Sequence, residues 1–187
     1  MEATRRSRKR EATHKALKHS AKMQFEKYGI ENVTIEEISE GADVSRSTFF
    51  THFDSLDDLL SQIANEEIDD IIGAAYSDGK TDLDSLFTQL TEDTYKYPYL
   101  MCQLLMKSIT SEGDSSVATV ISLMSRELES QGLGESFNEF SPKDISSFIM
   151  GAFFGLIFQK FASKEEFNDA DEINGKILKL IEIFKNK

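Results

Sequence analysis

Residues 32–53 read NVTIEEISEGADVSRSTFFTHF. Thr34 stands three residues before Glu37, the spacing of a reciprocal capping box, and Ile35 and Ile38 follow it on what would be one buried side. This predicts a short helix over residues 35–40 that Gly41 stops. Ser45 then offers an N-cap for a second short helix over residues 45–52. The connection between them is about four residues long and contains a glycine, which is the helix-turn-helix pattern. Phe49 and Phe53, four apart, predict an inward anchor, with Phe50 packing at the edge. Arg46, Ser47, Thr48, Thr51 and His52 are small or polar and take the outward side. Short donors and acceptors on an exposed helix face suit the major groove of DNA.

Working outward, Leu17, Ala21, Phe25 and Tyr28 fall at helical spacing over residues 11–28, and Gly29 can end that helix in a left-handed conformation. Ahead of it, Arg5, Arg6, Arg8, Lys9 and Arg10 make a dense positive run. Such a run is either a solvated, disordered tail or an arm that neutralises phosphates, and the two are compatible because such arms order on binding. On the other side, Ser55 with Asp57 and Asp58 marks a new helix start. Leu56, Leu59, Leu60, Ile63, Ile68, Ile71 and Ile72 carry that helix to about Ala75. SDGKTD, residues 77–82, reads as a loop. Helical patterns then resume over residues 82–96, 98–112, 115–131, 142–163 and 168–185, with Pro98 and Pro142 suited to helix starts. SQGLGESFNEFS, residues 130–141, is the clearest long loop. No stretch alternates in the way that argues for a sheet.

The chain has 187 residues, 40% of them apolar, two prolines and one cysteine. It can bury a real core, and the composition favours long helices. Cys102 alone excludes an internal disulfide or a cysteine-based zinc site and reads as a small buried hydrophobe. His14 and His19 are five apart, off the spacing of a helical metal pair, and read as surface residues; no metal or cofactor is expected. The longest apolar run, FIMGAFFGLIF at residues 148–158, is well short of the ~20 residues that span a bilayer. With no apolar segment behind the basic N-terminus, the expectation is a cytoplasmic protein without a membrane partner. The net charge is −12, but residues 1–53 hold ten Lys and Arg against eight Asp and Glu, and residues 54–187 hold eleven against twenty-five. An acidic body repels phosphates, so nucleic acid should meet the front end only.

Residues 11–60 resemble the DNA-binding domain of the TetR family of bacterial transcriptional regulators. Phe25, Tyr28, Gly29, Thr34, Ile38, Ala42, Val44, Ser45, Thr48, Phe53, Leu59 and Leu60 fall where that family's pattern expects them. The resemblance implies an all-α chain with a three-helix DNA-binding domain over residues 1–54, basic arm included. A linking helix then leads into a helical effector-binding and dimerisation domain over residues 55–187. It further implies a homodimer on a pseudo-palindromic operator, usually a repressor, released when a small effector separates or twists the two heads. By position, residues 45–52 are the recognition helix. The chain departs from the family in having Ser47 where glycine is common, Phe50 where tyrosine is common and Leu56 where lysine is frequent. The basic arm is then a candidate to supply the phosphate contacts those residues lack.

The expected DNA contacts are Arg5, Arg6, Arg8, Lys9, Arg10, Thr34, Ser45, Arg46, Ser47, Thr48, Thr51 and His52. Arg46 could grip a guanine in bidentate fashion or pair with a phosphate. Thr34 could cap only, or also offer a hydroxyl and backbone donors to a phosphate. His52 reads as a neutral donor to phosphate. An effector pocket would draw on Phe87, Leu90, Tyr95, Met101, Leu104, Leu105, Met124 and Phe153, which suit an apolar, adaptable site but equally a plain core. The helix over residues 142–163 is apolar on nearly all sides and so must be buried on nearly all sides. A four-helix interface between two copies would use Phe148, Gly151, Ala152, Gly155, Ile177, Leu180, Ile181 and Phe184; a monomer core is the other reading. No Gly-rich phosphate loop, His/Glu metal pair or Ser/His/Asp set argues for an enzyme. An all-helical carrier of hydrophobic ligands without a DNA role is the remaining alternative.

Overall fold

The structure is a computed structural model and describes residues 4–77, 80–110, 116–130 and 140–185. Its helices are α1 (Arg5–Tyr28), α2 (Ile35–Gly41), α3 (Arg46–Phe49), α4 (Leu56–Ala75), α5 (Leu83–Lys96), α6 (Pro98–Thr110), α7 (Ser116–Ser130), α8 (Pro142–Ser163) and α9 (Ala170–Lys185). A single turn of 3-10 helix at Ile30–Asn32 follows α1. The expected all-helical architecture holds, with one exception. Tyr76–Ser77 and Lys80–Thr81 pair as a two-stranded antiparallel ladder, β1 and β2, where a loop was expected. Of the expected long loop, residues 131–139 lie outside the described residues.

The chain divides into two compact units. The first comprises Met1–Glu66 and Tyr97–Leu104; the second comprises Glu67–Lys96 and Leu105–Lys187. The first unit thus takes in more chain than residues 1–54, including the start of α6.

In the first unit, α1 begins at Arg5, so the basic run is helix and not a separate tail or arm. Thr4 caps it by accepting from Ser7 N at 3.2 Å. Arg, Lys, Glu and Ala are good helix formers, and nothing before Gly29 breaks the run. The buried stripe is Leu17, Ser20, Ala21 and Phe25, whereas Tyr28 is exposed with Lys27 Nζ 4.8 Å from its ring centroid. That stripe meets Val33, Ile38, Phe49, Phe53, Leu59, Leu60, Ile63, Tyr97 and Leu100 in one core. Glu26 caps α6 by accepting from Tyr99 N and Leu100 N, and Gln103 Oε1 accepts from Ile30 N at 2.8 Å. Gly29, at φ +83°, could not take a side chain without strain and without pressing on Gln103 and Tyr99. Gly41 is different. It is the last residue of α2, which ends there as expected, and a methyl group at this position would collide with the Ser20 hydroxyl, which donates to Ile38 O at 2.9 Å. The left-handed residue of the α2–α3 turn is Asp43, at φ 54°.

In the second unit, α7 packs on α8, α5 on α9, and α8 on α9. Leu83, Leu86, Phe87 and Leu90 of α5, Val120, Met124 and Leu128 of α7, Ile145, Ile149, Phe153 and Ile157 of α8, and Ile173, Ile177 and Ile181 of α9 are buried. Ser141 and Asp144 close a capping box at the start of α8. Lys160, nearly buried, pairs with Glu172 at 3.1 Å and Glu165 at 3.4 Å, which ties the end of α8 to the start of α9. By length and hydropathy α8 could cross a bilayer. One face is buried against α7 and α9 while Phe148, Gly151, Gly155 and Phe158 are exposed, so within this chain it is not buried on nearly all sides as its composition predicted.

Candidate nucleic-acid interface

The helix-turn-helix is built by its caps. Thr34 Oγ1 accepts from Glu37 N at 3.3 Å while Glu37 Oε2 accepts from Thr34 N at 2.8 Å, so both halves of the capping box form. Thr34 Oγ1 also donates to Glu37 Oε2. These bonds hold the Glu37 carboxyl below the usual carboxylate range, and they occupy the Thr34 hydroxyl in capping. Ser45 Oγ accepts from Thr48 N at 3.2 Å and lies 2.8 Å from Ser47 Oγ and 2.9 Å from Thr48 Oγ1. Regular α3 is four residues, Arg46–Phe49, shorter than the expected 45–52. The chain turns through Phe50, Thr51 and His52, with His52 N donating to Phe49 O and Phe53 N donating to the same oxygen. Thr51 Oγ1 donates to Thr48 O at 2.7 Å.

Phe49 and Phe53 are wholly buried, 5.4 Å apart by ring centroids, so they anchor α3 as expected. Phe50 sits edge-on to Phe49 at 5.5 Å and is exposed. With Phe49 and Phe53 turned inward, Ser45, Arg46, Ser47 and Thr51 face water, and Thr48 and His52 are half-buried. Arg46 does not stand alone: its Nε donates to Glu36 Oε1 at 2.8 Å, and its guanidinium lies over the Phe50 ring. Leu56 is half-buried against the core of this unit, which explains an apolar residue at that place.

Arg5, Arg6, Arg8, Lys9 and Arg10 are all exposed on the first turns of α1. Arg10 is close enough to lower the pKa of His52, after desolvation, which is the larger cause. Arg10 stands one turn ahead of His14, whose ring lies 5.6 Å from that of His52, so it is the member of the basic run on that side of α1. His14 is not the free surface residue the spacing suggested. It stacks on Phe53 at 4.6 Å and lies 5.6 Å from the His52 ring, because it precedes Leu17 by three residues and shares its side of α1. Desolvation, then Lys18 and His52, hold His14 below the ordinary imidazole value, so both rings are neutral near neutral pH. His19 is exposed, as expected. An open cleft of about 530 Å³ lies elsewhere on this unit, lined by Gln24, Tyr28, Asn32, Glu37, Glu40 and Gly41. Its two carboxylates make it a poor seat for phosphate.

The remaining predicted residues are less unified. Phe87 and Phe153 meet at 6.1 Å in the second unit and, with Leu90, Leu105 and Met124, are buried. Tyr95 packs edge-on to Phe167, 5.3 Å away. Met101 and Leu104 belong to the first unit, where Leu104 packs on the core. Of the residues assigned to an interface between copies, Ile177 and Ile181 are buried inside the second unit and face inward. Ala152, Leu180 and Phe184 are half-buried. Phe148, Gly151 and Gly155 are exposed, and Phe158 and Ile183 join them. Cys102 is partly buried, and burial followed by the charge of Glu26 pushes its thiol up to about 11, which disfavours the thiolate at neutral pH.

Residues 18–63 match the family described as bacterial regulatory proteins, tetR family. No curated protein matches the chain significantly. Among solved structures, a transcriptional regulator of the AcrR family from Aquifex aeolicus aligns with TM-score 0.68 and 21% identity, over 90% of this chain and 99% of that one. The fatty acid degradation regulator FadR from Bacillus halodurans aligns with TM-score 0.66 and 15% identity, over 88% and 94%. NalD, the secondary repressor of the MexAB-OprM multidrug efflux pump in Pseudomonas aeruginosa, aligns with TM-score 0.58 and 17% identity, over 90% and 95%. At these identities the likeness establishes the fold.

Proposed function

We propose that this chain, whose residues 18–63 form the DNA-binding module of the tetR family, represses transcription as a homodimer on an inverted-repeat operator. One observation carries the reading. Phe49 and Phe53 pin α3 to a core shared with α1, and this turns Ser45, Arg46, Ser47 and Thr51 outward on the same unit as an exposed basic turn of α1. Phosphate contacts from Arg5 to Arg10 supply affinity, and the α3 side chains supply sequence preference.

The second copy is expected on α8. Phe148, Gly151, Gly155 and Phe158 lie on one exposed side, and a methyl group at either glycine would meet nothing within 4 Å. Flat, apolar and open, this strip admits close approach of the same strip from a partner. Two copies so joined present two recognition helices, which suit half-sites ~34–36 Å apart. The effector is a small apolar molecule held by the second unit. Its binding moves the two heads out of that spacing, and a switch from bound to free requires a differential affinity of a few kcal/mol.

The experiment is selection from random duplexes by the full chain at low salt, followed by sequencing. An inverted repeat with a fixed centre-to-centre distance is the expected result. Recovery of no enriched sequence would overturn the reading.

A further inference from the structure

Arg46 is held on two sides. Its Nε donates to Glu36 Oε1 at 2.8 Å, and its guanidinium carbon lies 5.3 Å from the centroid of the Phe50 ring. Glu36 is in the first turn of α2 and Arg46 opens α3, so the pair spans the outer surface of the helix-turn-helix. The two side chains are 59% and 62% exposed. An ion pair so exposed adds little to stability. What it does is fix the direction and plane of the guanidinium.

The chemistry of that arrangement is selective. A guanidinium that gives its Nε to a carboxylate keeps its two terminal amino groups as parallel donors. That fork matches O6 and N7 of guanine in the major groove. The pair as a whole carries no net charge, and attraction to phosphate depends on net positive charge. A phosphate drawn to Arg46 would also meet the Glu36 carboxylate, which repels it. The acceptors on a guanine edge are neutral, so they are read by donor geometry, which the pairing preserves. Phe50 takes the face of the guanidinium, where a stacked aromatic stabilises a cation and limits its rotation. An exposed phenylalanine beside a polar reading surface is thereby explained.

We infer that Arg46 reads a guanine in each half-site, and that Glu36 and Phe50 are positioning residues for it. This rests on the DNA-binding reading above. Glu36 is thus a specificity determinant that the sequence presents only as one more acid on a solvated face.

The test is base preference, position by position. The full chain and its Glu36→Ala, Glu36→Gln, Arg46→Ala and Glu36→Ala/Arg46→Ala variants each select from the same randomised duplex library, with folding checked by thermal melts. The unmodified chain should prefer guanine at one position of each half-site by about tenfold or more. Arg46→Ala should abolish that preference and leave the other positions unchanged. Glu36→Ala should weaken the same preference severalfold and steepen the salt dependence, since a released guanidinium can take a phosphate. Glu36→Gln, which keeps an acceptor, should restore part of it, and the double variant should match Arg46→Ala. The inference is overturned if Glu36→Ala keeps the full guanine preference. It is also overturned if Arg46→Ala lowers affinity for every sequence alike and reduces the salt slope by about 1, the behaviour of a phosphate anchor. If the unmodified chain enriches no sequence, the DNA-binding reading itself fails and this inference fails with it.

Discussion

Phe50 beside α3 and Phe148 and Phe158 on α8 are almost equally exposed, at 45%, 48% and 46%, yet their surroundings differ. Phe50 lies against the buried Phe49 ring and under the Arg46 guanidinium, so a charged partner from its own chain covers one face. Phe148 and Phe158 flank Gly151 and Gly155, beside which there is open space. The first exposure serves a polar side chain. The second belongs to an apolar strip, where Phe148 meets the Phe140 ring edge-on at 5.2 Å, and a second copy is proposed to cover it. Burial alone would class the three residues together, and only the neighbours separate them.

The comparison can be broken first at the anchor. Phe49→Ala removes a wholly buried ring and should destabilise the first unit by about 3–5 kcal/mol. Phe50→Ala, one residue on, should cost less than about 1 kcal/mol. Urea unfolding of both variants decides the matter, and equal losses would show that the two rings are not distinct in role.

Next comes the α8 strip. Gly155→Arg places a long cation in the open space without displacing any core atom. The variant should keep its helical circular dichroism, run as a monomer in light scattering, and lose about 10²- to 10⁴-fold in operator affinity as bivalent engagement is lost. An intact dimer with unchanged affinity would place the partner copy elsewhere.

Gly41→Ala probes the packing of α2 on α1. The added methyl collides with the Ser20 hydroxyl, so stability should fall by about 1–3 kcal/mol. Gly151→Ala on α8 meets nothing within 4 Å and should leave the isolated fold unharmed. Denaturation midpoints of the two variants compare an enclosed glycine with an open one.

The smallest effect is with pH. His14 and His52 both have pKa values lowered from 6.5, by desolvation first. As pH falls below 6.5, the unfolded chain takes protons that the folded chain refuses. Stability is therefore fully present above that value and declines as pH drops toward the folded pKa values. Chemical denaturation at neutral pH and at about pH 5.5 should show the loss, and His14→Gln should reduce it. A chain more stable at the lower pH would contradict the assignment.

Much of the first unit was legible in the sequence because its signals are local. The Thr34–Glu37 box, the Ser45 cap and the Phe49/Phe53 pair each lie within four residues, and each forms as its spacing predicts. What was not legible depends on angles between elements. Glu36 and Arg46 meet only because the α2–α3 turn, with Asp43 left-handed, brings two helix starts together. The Tyr97–Leu104 segment joins the first unit through Glu26 and Ile30, more than seventy residues distant in sequence. On α9, Ile177 and Ile181 were assigned to an interface between copies, but periodicity does not say what a stripe faces. In the second unit it faces inward, while α8 carries the exposed apolar strip. The basic run from Arg5 was expected, from its charge, as a disordered tail or a phosphate-neutralising arm, although its composition is helix-forming and Thr4 caps it.

The most direct measurement of the central claim is an equilibrium titration of the full chain into two duplexes of equal length across a series of salt concentrations. One duplex carries the selected inverted repeat and the other a scrambled version of it. The account predicts one dimer per inverted repeat, a preference of about 10³ or more over the scrambled duplex, and affinity that falls steeply with salt. Equal affinity for the two duplexes, or binding indifferent to salt, would contradict it.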